Sequence, residues 1–170
     1  MKGNTLFISY SPGQHDEQTL AIRLHTIGAA NGFRIFLPDR FNSDRVLDSE
    51  TKRRIEESDY FILFSFSRKI SPIVLDEINY AWQRFKDKSR IVVIYRTDIP
   101  KSLNPQTSLH CSEIFFNPQK QQMDDVIKHI MGVIFQKETQ KKRDKEIENG
   151  LLALLGIGLG LLVLNEMPQK

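Results

Sequence analysis

Apolar and polar residues follow two different periods along this chain. Short, almost continuous apolar runs alternate with longer stretches in which apolar residues recur every three or four positions. The continuous runs predict β-strands buried on both faces, and the periodic stretches predict amphipathic helices. The predicted strands are Thr5–Tyr10, Phe33–Leu37, Tyr60–Phe66, Arg90–Tyr95 and Glu113–Phe116.

Helices are predicted between these strands and after the last one. They cover about Asp16–Ala30, Asp48–Glu57, Ser71–Lys86 and Gln119–Phe135. The inward stripe of the first helix is expected to be Leu20, Ala21, Leu24 and Ile27, and that of the last helix Met123, Val126, Ile127, Ile130 and Ile134. The first helix should end at Asn31-Gly32, with Gly32 in the left-handed conformation that glycine adopts without strain.

The alternation of strands and helices defines the fold class. It predicts an α/β domain with a parallel sheet covered by helices on both faces, because parallel strands need crossover connections. A flavodoxin-like arrangement, with strand order 2-1-3-4-5, accommodates five strands in this length. We therefore expect a domain over residues 1–136, a charged linker over 137–149 and a hydrophobic helix over 150–165.

Composition adds a few limits on function. The chain has 170 residues and a net charge of +3, and its Lys and Arg residues are scattered, so we expect no nucleic-acid partner. The single cysteine, Cys111, excludes an intramolecular disulfide and fits a reducing compartment. No clustering of ligand residues indicates a metal, and no secretory signal is expected at the N-terminus.

The segment from Ser65 to Glu77 carries the strongest candidate chemistry. Ser71-Pro72 is a helix-start pattern, in which the serine hydroxyl is expected to accept a free backbone N–H. The stripe of that helix is predicted to be Val74, Ile78, Ala81, Trp82 and Phe85. Glu77 should lie on the shoulder of this stripe, half desolvated, at the edge where open α/β sheets bind ligands. A purely structural role also accounts for Glu77, because a glutamate in the early turns of a helix is favoured by the helix dipole alone.

The order and spacing of several segments resemble the TIR (Toll/interleukin-receptor/resistance protein) family. The matching segments are Phe7–Ser11, Phe33–Phe36 with the polar loop after it, Ile55–Leu63 and Glu77–Ala81. The serine and glutamate stretch of the enzymatic members has a similar counterpart here, in the order Ser65 or Ser67, then Ser71, then Glu77. Two features depart from the family pattern: Pro72-Ile73-Val74 replaces a frequent Trp or Cys, and Leu37–Arg40 lacks the usual Pro-Gly turn.

This resemblance implies a bacterial stand-alone TIR domain that consumes NAD+ as its substrate, with Glu77 as the catalytic residue. A lone carboxylate suits that reaction, since nicotinamide leaves as a neutral molecule and needs no general acid, whereas ordinary glycosidases use two carboxyl groups. The carboxylate would stabilise or capture the oxocarbenium-like ribose. The residues expected to bind the substrate are Ser9, Tyr10, Ser11, Arg40, Ser67 and Ser71. Arg40 in particular would offset pyrophosphate charge.

The C-terminal segment suggests a membrane or an assembly role. Residues 150–164 contain no charged side chain, and Lys141-Lys142-Arg143 precedes them, as the positive-inside pattern requires. Gly156 and Gly160 have the spacing of close helix packing in lipid. We expect self-association through the TIR domain and this helix, with the domain cytoplasmic and tethered to the inner face of the membrane. A soluble assembly helix and packing onto the chain's own domain remain alternatives.

Three candidate functions follow, two of them enzymatic and one non-catalytic. The first is an NAD+-consuming effector of bacterial antiphage immunity, activated by self-assembly, and its product is either ADP-ribose or a cyclised signal. The second is a non-catalytic TIR adaptor that binds other TIR domains. The third is an enzyme similar to nucleoside deoxyribosyltransferases, which also use a glutamate.

Overall fold

The computed structural model describes residues 4–40, 46–103, 110–140 and 142–144. The strands are β1 (Thr5–Ser9), β2 (Arg34–Phe36), β3 (Tyr60–Ser65), β4 (Ile91–Arg96) and β5 (Ser112–Phe116). The helices are α1 (His15–Ala30), α2 (Ser49–Glu56), α3 (Pro72–Arg84) and α4 (residues 123–140). A short 3-10 turn, Lys88–Arg90, leads into β4.

The five strands form one parallel sheet in the order β2-β1-β3-β4-β5, which confirms the predicted fold class and strand order. β1 pairs with β2 on one side, from Thr5 opposite Arg34, and with β3 on the other. The β1–β3 ladder ends at Ser9 opposite Leu63. The order reverses at β1, so the connections after β1 and β3 leave in opposite directions and open a crevice at their carboxyl ends.

Both faces of the central strands are buried. Phe7, Phe61, Leu63 and Val93 pack with Ile55 of α2 and with Val74, Ile78 and Ala81 of α3. Their neighbours along the strands point to the opposite face and are equally buried, as Ile8, Ile62 and Ile94 show. This double burial explains why the strands read as continuous apolar runs rather than as alternating ones.

Helix α1 shows where the predicted stripe was right and where it was wrong. Leu20, Ala21 and Leu24 are fully buried, as expected. Ile27 is 37% exposed, and Glu17 and Gly28 take the remaining inward positions. Gly32 has φ +81°, which confirms the left-handed residue after the helix.

Helix α3 is rotated relative to the predicted stripe. Its buried residues are Ile73, Val74, Glu77, Ile78 and Ala81, whereas Trp82 is only half-buried. Ile73 and Glu77 are four positions apart and therefore lie one above the other on the same face. The prediction of a half-desolvated Glu77 was wrong, because that side chain is 1% exposed.

The remaining boundaries concern the C-terminal part. Helix α4 starts at residue 123 rather than near Gln119, and Val126 and Ile127 are buried as predicted. The hydrophobic helix expected over residues 150–165 lies outside the described residues, and so does Lys141, the first residue of the basic cluster Lys141-Lys142-Arg143. Within the described ranges, no helix combines the length and the apolar character needed to cross a bilayer.

Candidate active site

The last residue of β1 and the two that follow it form the floor of the candidate site. We call Ser9, Tyr10 and Ser11 the strand-end segment. All three residues are buried, at 0%, 7% and 5% exposure. Each contacts a charged side chain from a different part of the chain, so the segment joins groups that are far apart in sequence.

Glu77 reaches this segment from α3. Ser9 Oγ donates a hydrogen bond to Glu77 Oε2 at 2.5 Å. Glu77 is delivered there because Pro72 at the first helical position starts α3 directly after the β3 loop, which leaves residue 77 on the second turn facing the sheet. The predicted catalytic residue and the predicted binding residue Ser9 are therefore in direct contact.

Arg40, which follows β2, covers the same carboxylate. Its Nη1 and Nη2 donate to Glu77 Oε1 and Oε2, both at 2.8 Å, which makes a two-pronged ion pair. The two side chains are 7% and 1% exposed, so the pair is buried. Arg40 Nε also donates to the carbonyl oxygen of Tyr10 at 3.1 Å, and the guanidinium lies 5.2 Å from the centre of the Tyr10 ring. In this structure the Arg40 charge is thus paired with a carboxylate.

A second buried carboxylate, Glu17, was not predicted from the sequence. Its Oε2 accepts the backbone N–H of Ser11 at 2.6 Å, and its Oε1 accepts that of Phe66 at 2.6 Å. The side chain is 0% exposed. A signal was available: Glu17 lies three, four and seven positions before the buried residues Leu20, Ala21 and Leu24, and so it continues their stripe.

Burial controls the ionisation of both carboxyl groups. Desolvation raises the pKa of Glu77 above its ordinary value, while the hydrogen bonds and charge of Arg40, and the Ser9 hydroxyl, oppose this. Desolvation likewise raises the pKa of Glu17, against the backbone hydrogen bonds from Ser11 and Phe66. Among the described residues, the crevice therefore brings together the carboxyl groups of Glu17 and Glu77 and the guanidinium of Arg40 in a poorly solvated setting.

The two remaining predicted residues lie elsewhere around the β3–α3 connection. Ser67 Oγ donates to the backbone carbonyl of Lys69 at 2.7 Å, which is a local turn contact. Ser71 occupies the position before α3 but makes no side-chain capping bond, so the predicted cap was wrong. Its buried Oγ has no hydrogen-bond partner among the described residues. Asp48 provides the contrasting case, since its side chain accepts the Thr51 N–H at 2.6 Å and caps α2.

Cavities and metal ligands add little to this picture. A cavity of about 330 Å³ lined by Ile55, Phe85 and Arg90 among others lies away from Glu77, and one of about 320 Å³ lies between α2 and α3 near Leu47 and Tyr80. Neither of these two cavities includes Glu77. Within the described ranges, no group of three or more His, Cys, Asp or Glu side chains could hold a metal ion.

Comparisons with known proteins reveal similarity of fold. No protein-family model matches the chain, and no curated protein matches it. The metal-soaked flavodiiron core from Synechocystis is similar with a TM-score of 0.54 and 12% identity, over 74% of this chain and 34% of that one. The chain thus spans about a third of that protein's length.

Two further structures are similar at low identity. The CMP N-glycosidase BcmB from Clostridium botulinum has a TM-score of 0.50 and 17% identity, over 72% of this chain and 98% of that one. The TIR domains of the activated Roq1 resistosome have a TM-score of 0.44 and 15% identity, over 82% and 76% of the two chains. At these identities the comparisons show a flavodoxin-like α/β fold and nothing finer.

Proposed function

We propose that this protein cleaves an N-glycosidic bond, that NAD+ is the substrate, and that Glu77 is the catalytic residue. The observation that carries the proposal is the position of Glu77. It is a buried carboxylate, 1% exposed, beside the carboxyl ends of β1 and β3, where open α/β sheets bind nucleotides. Two features support it: the TIR-like spacing of Ser71 and Glu77, and the fold shared with a CMP N-glycosidase.

The chemistry needs one carboxylate close to the anomeric carbon. The bond between that carbon and the ring nitrogen breaks with its electron pair going to the nicotinamide, which leaves neutral. Positive charge then develops on the ribose, and the carboxylate of Glu77 stabilises it. Attack by water, with loss of its proton, gives ADP-ribose, and attack by an oxygen of the same nucleotide gives a cyclised product.

Charge at the site favours a cationic substrate over a neutral one. Glu77 is buried, and Arg40 supplies the charge that compensates it. Glu77 can reach a ribose only after Arg40 releases its two oxygens, and this leaves a buried negative charge that the pyridinium ring of NAD+ can balance. CMP and deoxynucleosides carry no positive charge on the base, so this argument gives them no comparable advantage.

The wider function follows the same proposal. The protein acts as an effector of bacterial antiphage immunity, and self-association through the TIR-like domain and the C-terminal segment opens the site. Residues 150–165 tether the domain to the inner face of the cell membrane. Ser67, Ser71 and Tyr10 are proposed to contact the ribose or the base once the substrate is bound.

The test measures release of free nicotinamide from NAD+ by concentrated, demonstrably assembled protein. The variant Glu77→Gln is expected to lose at least a thousandfold in rate, because it removes the charge that the transition state requires. Asp76→Asn is the matched control, since Asp76 is the adjacent carboxylate on α3 but is exposed, and it should retain full activity.

Parallel incubations with CMP and with a deoxynucleoside distinguish the candidate substrates. Release of cytosine from CMP that depends on Glu77, without release of nicotinamide, would replace NAD+ by a nucleotide or nucleoside substrate. An assembled wild-type protein that cleaves none of the three would leave the TIR-like adaptor as the function.

A further inference from the structure

The strand-end segment is held at three successive residues by three charged side chains. Ser9 Oγ donates to Glu77 of α3, the carbonyl of Tyr10 accepts from Arg40, and the N–H of Ser11 donates to Glu17 of α1. The first two contacts belong to the site already described. The cleavage chemistry does not explain Glu17. Burying a carboxylate completely costs free energy, so we expect this side chain to have a separate structural role.

The position of Glu17 explains what it holds. The β1–β3 ladder stops at Ser9 opposite Leu63, and no further ladder pair joins the two strands beyond it. Glu17 bridges them there, with one oxygen on the N–H of Ser11 and the other on that of Phe66, each at 2.6 Å. The carboxylate thus replaces the missing ladder and sets the width of the crevice between the two strand ends.

We propose that Glu17 is a positioning residue for the reaction of Glu77, and this rests on the proposed function. By fixing Ser11 against Phe66, it fixes Ser9 two residues earlier, whose hydroxyl orients the Glu77 carboxylate through Oε2. A shift of about 1 Å at a reacting group can cost about a hundredfold in rate. Glu17 acts through Ser9 and does not touch the substrate.

The geometry requires a glutamate. Both oxygens accept a backbone N–H, so a glutamine would set its own N–H₂ against one of these donors and lose that bond. An aspartate is one methylene shorter and could not reach both donors. A protonated carboxyl group would keep two accepting oxygens, but its hydroxyl oxygen would accept more weakly than a carboxylate oxygen does.

The decisive variant is Glu17→Gln, with Asp16→Asn as its control. Asp16 lies in the same first turn of α1, but it is exposed and faces Arg96 at 3.5 Å, so its change reproduces any effect on the helix dipole. For NAD+ cleavage, Glu17→Gln should lower kcat at least tenfold with KM within threefold of the wild type, and Asp16→Asn should change neither. A kcat of Glu17→Gln within twofold of the wild type would overturn the proposal.

Amide hydrogen exchange supplies a readout that does not depend on catalysis. In Glu17→Gln, the amide of Ser11 or of Phe66 should exchange at least tenfold faster, while amides in the middle of β1 and β3 stay protected. Unchanged protection at both amides overturns the proposal even if the wild type is inactive on NAD+. An inactive wild type with faster exchange in the variant would instead refute the proposed function, and with it the catalytic part of this inference, while the bridge that Glu17 makes between the strand ends would stand.

A measurement on the wild-type protein covers the case in which the variant fails to fold. The amide proton resonances of Ser11 and Phe66 should shift together as the pH is lowered, at the pH where the Glu17 carboxyl group takes up its proton. Independent shifts, or none while Glu17 titrates, would overturn the proposal.

Discussion

Removing Arg40 tests the electrostatics of the site most directly. In Arg40→Ala, the Glu77 carboxylate, which is 1% exposed in the wild type, loses both hydrogen bonds at 2.8 Å and the guanidinium paired with it. Two unit charges about 4 Å apart attract by about 4 kcal/mol at an effective dielectric constant of about 20. Truncating one partner of a buried pair costs about 3–5 kcal/mol by measurement. We therefore expect Arg40→Ala to lose about 3–4 kcal/mol of unfolding free energy at pH 7.5.

The pH dependence of this loss follows from the sign of the pKa shift. Burial already raises the pKa of Glu77 in the folded protein, and removal of Arg40 raises it further. Glu77 in the folded variant then binds a proton more readily than it does in the unfolded chain. Its contribution to stability is therefore greatest below its unfolded pKa of about 4.3, and it falls as the pH rises through its folded pKa. The deficit relative to the wild type should be small near pH 4.5 and largest above pH 7.

The assay is urea unfolding of the wild type, Arg40→Ala, Glu77→Gln and the double variant between pH 4.5 and pH 8. The double variant should recover most of the stability that Arg40→Ala loses, since it no longer buries an unpaired charge. A loss below about 1 kcal/mol at pH 7.5, or a double variant no more stable than Arg40→Ala, would refute the buried pair. A loss that does not grow between pH 4.5 and pH 7.5 would refute the assignment to Glu77.

Two further predictions concern the helix ends. Asp48→Ala should cost about 0.5–2 kcal/mol of unfolding free energy by removing the α2 cap. Ser71→Ala should cost clearly less, because the Ser71 hydroxyl makes no capping bond. Thermal unfolding compares the two variants directly, and equal losses would contradict the capping difference. Gly32→Ala should lose about 1–2 kcal/mol of unfolding free energy, because the φ of +81° at this position is strained for any side chain. The same change at Gly132, a helical position with open space around the added Cβ, should be neutral or stabilising. A Gly32→Ala variant as stable as the wild type would show that the turn can relax.

The sequence predicted the fold well because the fold depends on local signals. Continuous apolar runs identify strands buried on both faces, and Tyr60–Ser65 is buried at every position. The alternation with helices then leaves few topologies, since crossovers between parallel strands are right-handed and short. Strand ends differ from the predicted ones by at most one residue, which is within the ordinary uncertainty of such boundaries.

The site was only partly predictable, because its contacts join distant parts of the chain. The Arg40–Glu77 pair spans 37 positions and the Glu17–Phe66 bond spans 49, and no periodicity encodes such partners. Glu77 was placed on the correct helix but rotated too far toward solvent, since the apolar pattern counted Trp82 into the stripe. Glu17 went unnoticed because a glutamate in a first turn is usually explained by the helix dipole.

Arg40 and the substrate of the proposed reaction compete for one carboxylate. Glu77 and Arg40 form a buried ion pair, and withdrawal of Arg40 would leave the Glu77 carboxylate unpaired. Such a state is unfavourable unless another cation enters, and the ring of NAD+, or the charge that develops on its ribose, has the required sign. The Arg40–Glu77 ion pair therefore places a positive charge beside the carboxylate, as the complex of Glu77 with NAD+ would. Under this reasoning the resting protein needs no further inhibitor, since Glu77 faces a ribose only when the Arg40 side chain has moved away.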